Sequence, residues 1–172
     1  MGERVGFENA TAELEFAIGY KFKSTSLLSL AMTHRSFSKD NNERLEFLGD
    51  AILGAVVSSI LFEANPNYKE DRLSLKRAEL VKGQSLATIG RSVGIPEILR
   101  LGAGEAKQGG ADRDSIIADA FEALIGAVQL DAGMEAVEKI VRRLFTNLLE
   151  KSETANLKDS KTELQEQVQS EG

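Results

Sequence analysis

Apolar residues recur at three- and four-residue intervals along most of the chain, and no stretch alternates convincingly in the manner of a half-buried strand. The pattern predicts an all-α fold. A short helix runs from Thr11 to Gly19, and Ser26 caps a second over Leu27 to Thr33. Asn41 or Asn42 caps a long helix reaching Ala64, where Asn65-Pro66 stops it. Another begins at Asp71 or Arg72 and ends at Lys82, and Gln84 to Val93 makes one more before Gly94-Ile95-Pro96. A glycine-rich loop, Gly102 to Gly110, leads into a helix over Asp114 to Asp131; Gly133 breaks it, and Met134 to Leu149 forms the last amphipathic helix.

Two of these helices carry acids in a way the apolar pattern does not require. With Glu43 set at zero and about 100° per residue, Glu46 falls near roughly 300° and Asp50 near roughly 340°, so the three share one face. Leu45, Leu48, Ile52 and Val56 lie opposite as a core stripe. The later helix repeats the arrangement, with Asp119, Glu122 and Gly126 together and Phe121, Leu124, Ile125 and Val128 opposite. Like charges at these spacings destabilise a helix slightly. Either the stripes are solvated surface, or they face each other across a cation. Gly54 near the first stripe and Gly126 in the second allow close helix approach, and facing carboxylates offer hard oxygen ligands to Mg²⁺ or Mn²⁺. Phe47 projects beside the acids instead of along the core stripe, which leaves it either buried by a neighbouring segment or offered to a second subunit.

Composition narrows the chemistry. The 172 residues, 42% hydrophobic, suffice for one main domain. Without cysteine there is no disulfide, thiolate nucleophile or cysteine-ligated zinc, and a single histidine, His34, excludes chemistry that relies on paired histidines. Acid–base work falls to carboxylates, lysine or metal-activated water. The N-terminal ten residues lack the apolar block of a signal peptide, and the most apolar stretch, Ala51 to Phe62, is too short to span a membrane, so the expected location is the cytoplasm. A net charge of −6 opposes nucleic-acid binding at face value, yet many acids fall in and around the two stripes. Lys69, Arg72, Lys76, Arg77 and Lys82 form a basic run that reads either as a solvated helix face or as a phosphate-contacting surface, with Lys76 and Arg77 the candidates for phosphate contact.

The segment Asn42-Glu43-Arg44-Leu45-Glu46-Phe47-Leu48-Gly49-Asp50, followed by Ala51-Ile52-Leu53, resembles the signature of the ribonuclease III family, endonucleases of double-stranded RNA. Thr33-His34-Arg35-Ser36, Leu99-Arg100-Leu101-Gly102 with Gly104-Glu105, and Asp114 to Ala127 resemble further family blocks in the same order, so the likeness spans residues 12–149. It implies the helical, homodimeric endonuclease domain over residues 1–150. By motif position Glu46, Asp50, Asp119 and Glu122 are the catalytic, metal-binding carboxylates; Glu43, Glu70 and Glu105 match secondary acids; Phe47 matches an aromatic that inserts into the partner subunit. His34 reads as structural, holding a connection between helices.

Residues 151–160 read as a linker, and 161–172, opening Lys161-Thr162-Glu163-Leu164-Gln165-Glu166, resemble the start of a double-stranded RNA-binding domain, so the chain reads as a fragment. The resemblance implies Mg²⁺-dependent hydrolysis, with Mn²⁺ as substitute, that leaves 5′-phosphate and 3′-hydroxyl ends and short 3′ overhangs, in the processing of ribosomal, messenger and other RNA. Three rival readings are a module that binds duplex RNA without cutting it, a carboxylate-rich metal-storage or oxidase protein, and a compact family member trimming one ribosomal RNA precursor. The second lacks the Glu-x-x-His pairs such sites use, and the tail motif counts against the third.

Overall fold

The computed structural model describes residues 2–146 and 148 and is helical throughout; the expected linker and RNA-binding start, residues 151–172, lie outside the described residues. In chain order the helices are α1 (Gly2–Ile18), α2 (Thr25–Ala31), α3 (Glu43–Ala64), α4 (Glu70–Leu80), α5 (Gly83–Ser92), α6 (Ile95–Ile98), α7 (Ala103–Lys107) and α8 (Asp114–Ala132), with a 3₁₀ turn at Gly110–Asp112 before α8. Residues 134–146 form a last helix, α9. The one β-type pairing among the described residues is an isolated bridge between Thr33 and Arg100.

The strongly apolar α8 is the axis of the domain. Ile117, Ala120, Phe121, Ala123, Leu124, Ile125, Ala127 and Val128 are fully buried, and the helix packs most extensively on α3 and then on α5. From α3 the buried set is Leu45, Ile52, Leu53, Val56, Val57, Ile60 and Leu61, a stripe continuing the one seen in the sequence. Phe145 of α9 meets Phe121 of α8 with ring centroids 6.4 Å apart, and Leu14 and Ile18 of α1 join the same core. By length and composition α3 alone among the described helices could cross a bilayer, which the shorter stretch considered above did not show. Its packing on α8 and its three acids in the first two turns are those of a core helix.

Several boundaries differ from expectation for local reasons. The first helix extends back to Gly2, and the glycine-rich loop contains the short helix α7. At the start of α3 the two asparagines divide the work: Asn41 Oδ1 accepts the Glu43 N–H at 3.0 Å, while the buried Asn42 donates from Nδ2 to the Ala31 carbonyl at 3.2 Å and from its backbone N–H to the Thr33 carbonyl at 2.9 Å. Asn41 therefore satisfies an open helix-end donor, and Asn42 ties α3 to the end of α2.

Candidate metal centre

The site forms where α3 crosses α8 with their backbones in contact. A Cβ on Gly49 would overlap the Glu122 carbonyl, and one on Gly126 would overlap the Leu45 carbonyl. Only glycine permits this approach, and it draws the two acidic stripes together. Gly54, the glycine expected from the sequence to serve the first helix, does not face α8: a Cβ added there would meet nothing within 4 Å. Gly54 lies more than a turn beyond the crossing; Gly49, inside the nine-residue motif and between the acidic and apolar stripes, is the residue that faces α8.

Glu46, Asp119 and Glu122 each offer a carboxylate oxygen within 4.8 Å of the others, all three half-buried. Burial, followed by the fields of Asp50, Asp119 and Glu46, pushes the Glu122 carboxyl up to about 7. Glu46 is raised by burial, then by Asp119 and Glu43, with Arg35 opposing. Asp119 is raised by burial, while His34 and Arg35 pull it down. Carboxylates forced together in partial burial are stabilised by a cation that replaces their protons. The donor set is all oxygen and without thiolate or imidazole, which suits a small, hard divalent cation.

The other sequence candidates take different places. Asp50 is exposed one turn further along α3, outside the three-residue group but close enough to raise Glu122. Glu43 sits at the edge, 3.6 Å from the Arg35 guanidinium. Glu105, on α7, pairs with Arg113 at 2.9 Å and shares with Glu46 and Asp119 the wall of a cleft of about 460 Å³. Glu70 is not brought to the cluster within the subunit; it accepts a hydrogen bond from Ser74 at 2.7 Å and borders a separate groove with Ser58, Phe62, Tyr68 and Arg77. Lys76 is a correction: it is only 6% exposed, with its ammonium 5.1 Å from the Tyr68 ring, so it is no surface contact in the subunit, whereas Arg77 is exposed and donates to Ser58. Phe47 is 81% exposed, which excludes burial against a described segment of its own chain.

Sequence reasoning missed the basic side chains in the wall of the cleft. His34 and Arg35 stand there, close enough to Asp119 for the Arg35 guanidinium, and His34 in its protonated form, to favour its carboxylate. The loop carrying them is pinned on both sides, by the Arg100 N–H to the Met32 carbonyl at 2.8 Å, the His34 N–H to the Arg100 carbonyl at 3.0 Å, and Asn42. Nothing in the periodicity signals this, because the pairing joins residues distant in sequence.

An all-helical domain with carboxylates from two crossing helices gathered in a half-buried cluster has the makings of a metal-dependent hydrolase. Residues 24–149 match the Ribonuclease-III-like family, and the chain belongs to the ribonuclease III family. It is 54% identical over 162 residues to Ribonuclease 3 of Pseudomonas fluorescens strain SBW25, covering 94% of this chain and 71% of the relative. Ribonuclease 3 of Pseudomonas aeruginosa strain LESB58 is 50% identical over 165 residues, covering 95% and 72%. A solved structure of the nuclease domain of ribonuclease III from Campylobacter jejuni, described as showing structural flexibility in a region involved in dimer formation, superposes with a TM-score of 0.77 at 43% identity, covering 78% of this chain and 95% of that one. Dicer from Pichia stipitis shares the fold with a TM-score of 0.60 at 27% identity, over 75% of this chain and 57% of that one. By this kinship the protein is a ribonuclease.

Proposed function

We propose that the protein hydrolyses phosphodiester bonds of double-stranded RNA with the help of a divalent cation, Mg²⁺ or in its place Mn²⁺, held by Glu46, Asp119 and Glu122 with Asp50 at the open side. The observation that carries this is the convergence of those acids, with Glu122 holding its proton up to about pH 7 until a cation displaces it. A cation bound there lowers the pKa of water and offsets charge on the phosphate during attack. The chain's own part is to hold the acids on rigid helices, so that the geometry is set before substrate arrives. Arg35, exposed at the cleft mouth, is placed to draw in the phosphate backbone. Attack by water needs no activation of the 2′-hydroxyl, which fits a chain with one histidine and gives 5′-phosphate and 3′-hydroxyl ends.

Two subunits bring two such sites to one duplex, each cutting one strand and leaving a short 3′ overhang. Phe47, Phe62 and Leu75 support this pairing, being large apolar side chains 81%, 72% and 73% exposed on α3 and α4. Glu43 and Glu70 belong to this reading as acids at the rim between subunits. Recognition rests on duplex shape and backbone, with Arg77, Lys69 and Lys82 exposed along and beside α4. The natural substrates on this reading are ribosomal and messenger RNA precursors, which places the protein in the cytoplasm.

The rival reading, a duplex-binding module without cleavage, is disfavoured because every matched metal position keeps its acid. Asp119→Asn separates the two. The variant is expected to lose Mg²⁺-dependent cleavage of a long RNA duplex by several orders of magnitude and to retain duplex affinity in Ca²⁺. Cleavage at the wild-type rate would sink the proposal.

A further inference from the structure

His34 lines the cleft with Glu46 and Asp119, and its ring is fixed by an ordered chain of hydrogen bonds. The Gly102 N–H donates to Ser36 Oγ at 3.0 Å, so the Ser36 hydroxyl proton is free to point elsewhere. Ser36 Oγ lies 2.8 Å from His34 Nδ1, and the Ser36 backbone N–H also donates to Nδ1, at 3.2 Å. Nδ1 is thus an acceptor twice over. In the neutral imidazole the proton must then sit on Nε2, and Nε2 has no hydrogen-bond partner among the described residues.

A ring whose tautomer is locked from behind, in a residue that lines a cleft together with Glu46 and Asp119, is equipped to do more than join two helices. A residue needed only for the connection would be served by the backbone bonds of His34 and its neighbours alone: the His34 N–H to the Arg100 carbonyl at 3.0 Å and the Phe37 N–H to the His34 carbonyl at 2.9 Å. Neither uses the ring. The cleft, about 460 Å³, is large enough for a sugar–phosphate unit of a strand whose scissile bond lies at the cluster.

We propose that His34 is a substrate-positioning residue: its Nε2–H, oriented by Ser36 and Gly102, donates a hydrogen bond to an acceptor oxygen of the RNA backbone beside the scissile phosphate. The inference rests on the duplex-cleaving function proposed above. It assigns His34 no role in proton transfer and no contact with the cation. Because the donor is a neutral N–H, its contribution does not require a protonated ring.

Three variants of the same chain test this: His34→Ala, His34→Gln, whose side-chain amide can place an N–H close to the position of Nε2, and His34→Asn, whose amide reaches only the Nδ1 position. Cleavage of an RNA duplex in Mg²⁺ is measured alongside duplex affinity in Ca²⁺ and the thermal midpoint without RNA. His34→Ala and His34→Asn are expected to lower kcat/KM about 10- to 100-fold, with weakened duplex affinity in Ca²⁺ and a midpoint close to wild type. His34→Gln recovers most of the loss. A duplex with 2′-deoxy sugars at the cleavage site identifies the acceptor: if the wild-type advantage over His34→Ala vanishes, the acceptor is a 2′-hydroxyl; if it persists, a phosphate oxygen. Wild-type cleavage by His34→Ala overturns the proposal, as does an activity loss that tracks a lowered midpoint and is not recovered by His34→Gln. Failure of the wild-type chain to cut the duplex instead overturns the function on which the inference rests.

Discussion

Glu122 is the residue on which the chemistry and the stability of the domain meet. Its carboxyl titrates near 7 in the folded chain against an ordinary 4.5. Between those values the folded state holds a proton that the unfolded state has released, so stability falls as pH rises through that window. Glu46 and Asp119, both raised, act in the same direction. On the proposed function a divalent cation is expected to reverse the loss, since it would bind the ionised cluster and not the unfolded chain. Thermal midpoints from about pH 5 to about pH 8 check this: with chelator the midpoint declines toward the upper end, and Mg²⁺ raises it most there. An Mg²⁺ effect of equal size at both ends would contradict the titration assigned to Glu122, and Glu122→Gln should flatten the dependence. At this scale the acids were legible in the sequence because helical spacing alone puts Glu46 with Asp50 and Asp119 with Glu122 on single faces. The burial of Lys76 was not legible, since a lysine in a basic run reads the same whether it points to solvent or folds over Tyr68.

Between elements, the site depends on how closely α3 and α8 cross. Gly49 and Gly126 let each helix's backbone rest against the other, and the half-burial that raises Glu122 follows from that contact. Gly126→Ala puts a methyl group against the Leu45 carbonyl, where the obstacle is backbone and cannot swing aside. The expected cost is about 1–3 kcal/mol of stability, read as a lowered thermal midpoint, together with reduced cleavage as the acids separate. Gly54→Ala, at a position with open space beside it, is the control and should leave the midpoint unchanged or slightly raised. If both substitutions have the same effect on the midpoint, the crossing does not rest on Gly126. The sequence offers a glycine on either side of the acidic face, Gly54 beside the acids and Gly49 toward the apolar stripe, and which of them meets α8 depends on how the opposing helix crosses. The α7 helix was hidden for a related reason: glycines at 102, 104, 109 and 110 flank and interrupt it, and local propensity reads loop.

For the whole molecule, the face that α3 and α4 leave uncovered calls for a partner. Phe47 is exposed and adjacent to the acids on α3, so a second subunit docking there would sit beside the acidic cluster. Phe47→Ala is expected to shift the subunit equilibrium toward monomer, with association weakened about tenfold or more, while the melting of the isolated subunit barely changes because the ring contributes nothing to its core. Analytical ultracentrifugation across a concentration series measures this, and an unchanged association constant would show that the docking face lies elsewhere. The helical architecture was legible because apolar periodicity persists through α3, α5 and α8; the cleft walled by His34, Arg35 and Glu105 was not, since segments distant in sequence build it. The chemistry at the crossing is tested most directly by end-group analysis of a long RNA duplex incubated with Mg²⁺ and either wild-type chain or Glu122→Gln. Products carrying 5′-phosphate and 3′-hydroxyl ends with wild type, and intact duplex with the variant, are the expected result. Products ending in 3′-phosphate, or equal cleavage by Glu122→Gln, would contradict it.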